Sequence, residues 1–345
     1  MRFLLTTNPG IEDIVVGEIK RNFKARVFPK FMRFPGRVLV ETSKKNLEKI
    51  FGLRSIYHII QYVSEFEIET DERGLQTIYK MMKKLDIPEL EDANTFRVTA
   101  ERKGIHEFTS IQAQSMAGKA LAETYHKRVD LKKFDVNVFM DIIGKKCYVG
   151  LLLTREPLSK RFDRPFNHPA AIKPPLAYAM LELANIRVGE TLLDPFCGGG
   201  TIPIEAALVH DRKVRICGSD INEGFLNGAR ENAKAAGVLD FIEFKKVDAR
   251  KLHEEYSEID KIVTNPPYGV RSLREKPKTL KFILRSFLDS AMKILTERGR
   301  MVVMQLRASS FRRMIYRTRG YIIIEERVVE SGGLFPHVFV MERIQ

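Results

Sequence analysis

The chain has 345 residues, of which 44% are hydrophobic and 30% charged, and its formal net charge is +14. This length predicts about two domains or more, and the positive charge favours a polyanionic partner. No apolar run approaches the roughly 18 residues of a membrane span, and the three cysteines form neither a disulfide framework nor a zinc site. The first six residues are too short for a signal peptide. We therefore expect a cytoplasmic protein that needs no membrane and no metal.

Residues 1–62 read as a first α/β domain. Apolar strands are predicted near residues 3–6, 27–34, 37–40 and 56–63, with a helical spacing of apolar residues after the first and third. The order βαββαβ is ferredoxin-like.

Residues 63–155 read as a second domain with a basic turn. The strand that starts near Phe96 runs into Arg102 and Lys103, which precede a helix beginning near Ser110, and two later strands are separated by a turn at Gly144. The R-x-G-x-H-x-F-T-S and V-D-L pieces of this segment resemble the THUMP domain, an RNA-binding module of tRNA-modifying enzymes. The resemblance implies an RNA contact, for which Arg102 and Lys103 supply charge. His106 is equally consistent with a loop histidine whose partners lie within the protein.

Residues 156–168 read as a linker. Prolines alternate with basic residues in this segment, and proline stiffens a spacer. Its Arg161 is a further candidate for RNA contact.

The residues from Leu192 to Thr201, LLDPFCGGGT, predict a strand, a tight loop and a helix. Glycine lets the backbone approach a bound molecule, and a helix N-terminus offers unpaired N–H groups. A phosphate loop would need a lysine after Gly200, and Pro203 stands where a dinucleotide motif has its last glycine. A purely structural glycine turn remains open from these residues alone. The sequence therefore predicts a nucleotide-like cofactor at this loop.

Two further short strands end in acids. Strands near residues 214–220 and 242–248 end at Asp220 and Asp248, as the glycine strand ends at Asp194. Ligands of open α/β sheets lie at the carboxyl ends of the strands. We expect Asp220 to accept hydrogen bonds from a ribose diol and Asp248 from an adenine amino group.

The next strand, near residues 260–264, ends in Asn265-Pro266-Pro267-Tyr268. With the glycine loop, this tetrapeptide resembles the class I S-adenosylmethionine-dependent methyltransferases, in the branch that methylates amino nitrogens. The resemblance covers roughly residues 169–345 and implies a Rossmann-like domain with S-adenosylmethionine as cofactor. The cofactor residues it implies are Asp194, Pro195, Phe196, Cys197, Gly198, Gly200, Thr201, Asp220, Ile221, Asp248, Ala249 and Ala171.

The N-P-P-Y residues suit methylation of a base amine. The amide oxygen of Asn265 and the carbonyl of Pro266 can accept the two N–H protons of the amine, and Pro267 stiffens the turn. Tyr268 is predicted to stack on the base. Positioning carries the rate, and no base with a shifted pKa is required.

The last quarter of the chain completes the domain. A helix near 278–296 precedes a strand near 300–305 and two further strands, predicted as an antiparallel hairpin, at 321–329 and 338–342. Two basic clusters accompany these elements, and Arg271 and Arg274 of the first are predicted to contact RNA. Together the chain resembles a THUMP-bearing tRNA methyltransferase, and we expect a monomer, although the sequence does not fix the oligomeric state. In having Asn at the start of N-P-P-Y, the chain resembles the guanine-N2 enzymes that act on position six of the acceptor stem.

Several alternatives remain open. The target can be another tRNA guanine-N2 site, an RNA adenine-N6 or the side-chain amide of a protein glutamine. A degenerate, non-catalytic RNA-binding protein predicts a damaged cofactor loop, whereas this loop is intact. C5 methylation of a pyrimidine would need a nucleophilic cysteine near the N-P-P-Y turn, and Cys217 stands in the second strand instead.

Overall fold

A computed structural model describes residues 1–31, 34–268 and 277–344. Its strands form two sheets. The first has eight strands in the order β2-β3-β1-β4-β8-β7-β5-β6, and the second has seven in the order β11-β10-β9-β12-β13-β15-β14. No helix among the described ranges is long and apolar enough to cross a membrane.

The N-terminal unit has the predicted βαββαβ order. In it β1 pairs antiparallel with both β3 and β4, and β2 pairs antiparallel with β3, so the ferredoxin-like prediction is confirmed. Leu5 of β1 and Val15 and Ile19 of the first helix lie in one core cluster beneath the sheet. The elements are β1 (Arg2–Thr6), α1 (Glu12–Asn22), β2 (Arg26–Pro29), β3 (Arg37–Glu41), α2 (Leu47–Phe51) and β4 (His58–Glu67).

The next unit extends the same sheet, because β4 continues past the first core and pairs antiparallel with β8. β5 lies parallel to β7 and β6, and β7 is antiparallel to β8. Thr109 and Gln112 form a capping box that starts α5 directly after the basic turn. The elements are α3 (Arg73–Met82), α4 (Pro88–Glu91), β5 (Thr95–Lys103), α5 (Ser110–Tyr125), β6 (Arg128–Val129), β7 (Val136–Ile143) and β8 (Lys146–Leu152).

The seven-stranded sheet is parallel from β11 to β13 and ends in the antiparallel pairs β13–β15 and β14–β15. The predicted Rossmann-like sheet with a C-terminal antiparallel hairpin is confirmed. Leu192 and Leu193 belong to the two different core clusters, because successive strand residues face opposite sides. The elements are α6 (Pro174–Ala184), β9 (Thr191–Asp194), α7 (Thr201–His210), β10 (Arg215–Asp220), α8 (Glu223–Ala235), β11 (Ile242–Lys246), β12 (Ile259–Thr264), α9 (Pro277–Ile294), β13 (Leu295–Gln305), α10 (Ala308–Thr318), β14 (Tyr321–Val328) and β15 (His337–Arg343).

Polar contacts join the first unit to the second sheet. Arg54, which precedes β4, lies 3.5 Å from the buried carboxylate of Glu205 on α7 and donates to the carbonyl of Leu208 at 3.0 Å. The amide of Asn8 donates to the carbonyl of Glu330 at 2.8 Å. The helix that follows the glycine loop is therefore in direct contact with the N-terminal unit.

Candidate active site

A cavity of about 1110 Å³ lies at the carboxyl ends of the parallel strands. The ends of β9, β10 and β12, the loop after β11 and the connecting segment before α6 form its walls. This is the position where ligands of open α/β sheets bind. Predicted site residues in the wall are Ala171, Asp194, Pro195, Phe196, Cys197, Gly198, Thr201, Asp220, Ile221, Asp248, Ala249, Asn265, Pro266, Pro267 and Tyr268.

Gly200 is the predicted cofactor residue that does not line this cavity. Its φ of 80° lies in the left-handed region, where it forms the N-cap of α7, and its N–H donates to the carbonyl of Cys197 at 2.8 Å. A Cβ there would come within 3.1 Å of Ala229 and 3.3 Å of Ile204. The glycine is needed to turn the chain into α7 against its neighbours, and its predicted cofactor contact stays a prediction.

Asp194 is the buried acid of the site, with 2% of its surface exposed. Its Oδ1 accepts hydrogen bonds from the Thr264 hydroxyl at 2.6 Å and from the Phe196 N–H at 3.2 Å. Burial without a cationic partner raises the pKa of this carboxyl to about 7. A carboxyl group with this pKa is partly protonated at neutral pH.

Asp220 and Asp248 have different partners. Asp220 accepts from the N–H groups of Gly198 at 3.0 Å and Asn222 at 2.9 Å, and burial raises its pKa. Each oxygen has a second lone pair that a ribose hydroxyl could use. Asp248 lies two residues beyond β11 and caps a 3-10 helix, and hydrogen bonds from the Arg250 side chain lower its pKa. The adenine contact predicted for Asp248 therefore has to be shared with Arg250.

The N-P-P-Y turn leaves β12 directly and faces the cavity. The Asn265 Nδ2 group donates to the carbonyl of Ala170 at 3.3 Å, and the Tyr268 hydroxyl donates to Asn265 Oδ1. One donor and one acceptor thus fix which end of the amide is the oxygen, and Oδ1 keeps one lone pair. Tyr268 is half-buried and packs against the core, and burial raises its pKa. Its predicted stacking on a base stays a prediction.

Several residues of the site escaped the sequence analysis, and they belong to the segment predicted as a linker or contact it. Asn232 of α8 donates to the carbonyls of Gly199 and Phe166, each at 2.9 Å, and so ties the glycine loop to this segment. The ring of His168 lies against the loop, where a Cβ on Gly198 would meet it at 3.4 Å, and burial lowers its pKa. Arg164 also contributes to the cavity wall. A polar residue amid the apolar face of α8 was the available signal for Asn232.

Arg161 does not support the predicted RNA contact. Its guanidinium donates to Glu205 on α7 and to the carbonyl of Arg54, each at 2.6 Å, and only 16% of the side chain is exposed. The carboxylate of Glu205 is fully buried, and a buried charge needs a cationic partner. The structure therefore corrects this prediction, because Arg161 neutralises an internal acid.

The other predicted RNA contacts differ among themselves. Lys103 is exposed at the end of β5. Arg102 is half-buried and donates to His106 Nδ1 at 3.0 Å, while His106 Nε2 donates to the carbonyl of Gly144 at 2.7 Å. His106 is thus held by partners within the protein. Arg271 and Arg274 lie outside the described residues.

A basic face lies beside the cavity on α9. Lys278, Lys281, Phe282 and Arg285 are exposed at helical spacing on this helix, and Thr279 and Ile283 line the cavity. The Arg250 guanidinium lies 6.0 Å from the Phe282 ring centroid. Cations alternating with an exposed ring suit a nucleic-acid strand. This set of Lys278, Lys281, Phe282 and Arg285 is called the α9 basic face below.

Two family models match the chain, one on each side of residues 153–160. Residues 161–336 match the RMKL-like methyltransferase domain, and residues 72–152 match the THUMP domain. The chain therefore belongs to the RMKL-like methyltransferase family and carries a THUMP domain before the catalytic region.

Three similarities extend over almost the whole length of the chain. The chain is 35% identical to a tRNA (guanine(6)-N2)-methyltransferase of Thermus thermophilus, covering 98% of both proteins. It is 31% identical to the protein of the same name from Methanocaldococcus jannaschii, covering 99% of this chain and 100% of that one. Among solved structures, TrmN from Thermus thermophilus superposes with a TM-score of 0.83 at 35% identity, covering 99% of both chains.

Proposed function

We propose that this methyltransferase transfers a methyl group from S-adenosylmethionine to the exocyclic N2 of the guanine at position six of tRNA. The observation that carries the proposal is the N-P-P-Y turn at the cavity wall in a chain that matches tRNA (guanine(6)-N2)-methyltransferases over its full length. The THUMP match and the net charge of +14 support an RNA substrate.

The cavity residues fit S-adenosylmethionine. Asp220 offers carboxylate lone pairs to a ribose, and the glycine loop and the first turn of α7 line the cavity. Arg164 lines the cavity and adds positive charge to its wall, and its buried Nη2 has no partner among the described residues. When bound, S-adenosylmethionine would supply a methyl group whose transfer forms one N–C bond and breaks one C–S bond, and the methylated nitrogen would then release one proton to solvent.

The chain itself orients the acceptor amine. Asn265 Oδ1 keeps a lone pair beside the hydrogen bond from Tyr268, and the carbonyl of Pro266 is a second acceptor at the same turn. Hydrogen bonds accepted from both N–H groups hold the nitrogen in a fixed direction, which lowers the entropy that the reaction has to lose. Tyr268 and Ala170 are positioning groups in this scheme, because they hold the amide of Asn265.

The RNA is expected to contact two surfaces. The α9 basic face lies next to the cavity and would hold the nucleotides that flank the target base. Lys103, at the turn of the THUMP domain, would contact a more distant phosphate. Neither contact requires a base-specific group, so specificity for position six would come from the distance between the two surfaces.

The test uses tRNA transcripts, methyl-labelled S-adenosylmethionine and mass spectrometry of the nucleosides. We expect N2-methylguanosine in a wild-type transcript and none when guanine six is replaced by adenine. A transcript with guanine ten replaced is the matched control and should be methylated normally. Labelled N6-methyladenosine, methylation that survives the change at position six, or labelled glutamine in a protein acceptor would each contradict the proposal.

A further inference from the structure

A second basic surface, on α10, has no role in the proposed function. Its members are exposed and lie on the helix or at its N-cap, and they are Arg307, Arg313, Tyr316 and Arg317. The tyrosine ring has 65% of its surface exposed. No ion pair joins these three guanidinium groups to the described part of the chain, whereas the neighbouring Arg312 is paired with Glu326 at 2.5 Å. This set is called the α10 basic face below.

The α10 basic face faces outward because the apolar residues of α10 face the sheet. Phe311 and Ile315 lie in the core cluster that also holds Leu284 and Phe287 of α9, so the two helices lie on the same side of the sheet. Residues 313, 316 and 317 are three or four positions apart and share the opposite face of α10. The helix begins four residues after Met304, which lines the cavity. The α10 basic face therefore starts at the edge of the sheet where the cavity opens.

The N-terminal unit lies on the other side of the seven-stranded sheet. Ile11 of α1 packs in the other core cluster, with Leu176 of α6 and Ile204 of α7. The THUMP domain is joined to this unit by the pairing of β4 with β8, and its described core cluster holds no residue of the seven-stranded sheet. The cavity thus separates a distant RNA surface on the THUMP domain from a near one on α9 and α10.

A polyanion is the partner that fits the α10 basic face. Arginine side chains and a tyrosine hydroxyl donate to phosphate oxygens, and these contacts need no base-specific group. A second copy of the chain is disfavoured, because the net charge of +14 makes like surfaces repel. A membrane surface is disfavoured, because an interfacial helix needs an exposed apolar face and the apolar residues of α10 named above are buried.

We infer that the α10 basic face binds the sugar-phosphate backbone of the tRNA outside the acceptor stem, where the stem joins the adjoining arm. The inference rests on the proposed tRNA substrate. Guanine six lies near the inner end of the acceptor stem, so the stem extends far from the target base in one direction only. The distant THUMP domain requires that longer side. The shorter side, with the adjoining arm, is left to the helices next to the cavity.

The test compares two RNAs that differ in that part. One is a full tRNA transcript, and the other is a hairpin that holds the acceptor stem alone, with guanine six in place. In filter binding, Arg313→Glu with Arg317→Glu should weaken binding of the tRNA about 10-fold and reduce the slope of its salt dependence by about 2. Binding of the hairpin should change by less than about 2-fold. In steady-state assays KM for tRNA should rise at nearly unchanged kcat, because the α10 basic face does not touch the reacting groups.

The matched control is Arg187→Glu with Lys213→Glu, which makes the same change of charge. Both residues are exposed in the segments before β9 and β10, at the opposite edge of the same sheet. Since distant charges are screened by salt, tRNA affinity should change by less than about 2-fold. Arg313→Lys with Arg317→Lys should keep most of the affinity, because a phosphate contact needs only charge within reach. Thermal melts check folding, and the corresponding Gln pair replaces the Glu pair if that protein does not fold.

The outcomes separate the inference from the proposed function. Methylation of the tRNA at another position contradicts the proposed function, and the comparison of the two RNAs still decides the inference. Absence of tRNA binding by the wild-type protein contradicts both. Wild-type protein that binds the hairpin as tightly as the tRNA contradicts the inference alone. An equal loss for both RNAs in the Arg313 and Arg317 variants would place the α10 basic face on the acceptor stem, and no loss for either would exclude RNA from it. Each of these two results overturns the inference.

Discussion

The eight-stranded sheet and the seven-stranded sheet each bury a carboxylate, and the two carboxylates have different hydrogen-bond partners. In the first sheet Asp141 is 1% exposed and accepts from the guanidinium of Arg37 at 2.5 Å. In the second sheet Asp194 is 2% exposed, and its hydrogen bonds come from a hydroxyl and a backbone N–H. The acid of the first sheet is paired with an arginine, whereas the acid of the cavity has no cationic partner among the described residues.

The difference follows from sheet topology. Parallel strands bring all their carboxyl ends to one edge, so the acids and the N-P-P-Y turn meet at one cavity. The mixed first sheet sends its strand ends to two edges, so they do not meet at one cavity. A titratable or unpaired group is therefore more informative about function in the second sheet.

The largest expected effect is at Asn265. Asn265→Ala removes an acceptor used mainly in the transition state, so the methyl-transfer rate should fall by roughly 10²–10³-fold with little change in either substrate's affinity. Asn265→Asp keeps an acceptor and should retain more activity than Ala. Single-turnover assays measure both. A rate for Asp at or below that of Ala, with both proteins folded and binding both substrates, would remove the acceptor role.

A variant of Asp194 tests whether this buried acid of the cavity lacks a neutralising partner. Its folded pKa of about 7 lies above the unfolded value near 4, so wild-type stability should fall as pH rises from about 4 to 7 and then level off. Asp194→Asn keeps the acceptor oxygen and removes the charge. It should gain up to about 4 kcal/mol over wild type across that window. Urea unfolding at several pH values measures the difference, and a gap independent of pH would contradict the shifted pKa.

Asp220 should separate cofactor binding from folding. Asp220→Ala would leave two ribose hydroxyls without their acceptor, and S-adenosylmethionine affinity should fall by roughly 1–3 kcal/mol. Calorimetry on the folded variant measures the loss. Asp248→Ala is the companion variant, and its effect should be smaller because Asp248 is bound to Arg250. Unchanged affinity in Asp220→Ala would place the ribose elsewhere.

The smallest effect concerns the α9 basic face. Lys281→Glu with Arg285→Glu should weaken tRNA binding about 10-fold and reduce its salt dependence, because phosphate contacts release counterions. Arg161→Gln, by contrast, should act through stability, since Arg161 neutralises Glu205. Filter binding at several salt concentrations, with thermal melts, distinguishes the two. If the double variant left the salt dependence of tRNA binding unchanged, the RNA would have to contact another surface.

Much of the second sheet was predictable from local signals. The strands ending at Asp194, Asp220 and Thr264, the glycine loop and the C-terminal hairpin follow from apolar runs and turn residues, and the structure confirms them. β11 ends at Lys246, two residues before the acid, because Asp248 caps the following 3-10 helix. The roles assigned to the individual site residues remain predictions.

What the sequence determined by itself was the order of elements and the set of chemical groups at the cavity, because both depend on periodicity and short motifs. The partners of those groups were decided by the tertiary structure. Arg161 and Arg164 are three residues apart in one proline-rich segment, yet Arg161 neutralises Glu205, whereas the buried Nη2 of Arg164 has no partner among the described residues. Charge and spacing are local properties, whereas pairing depends on which buried acid the fold brings within hydrogen-bonding distance.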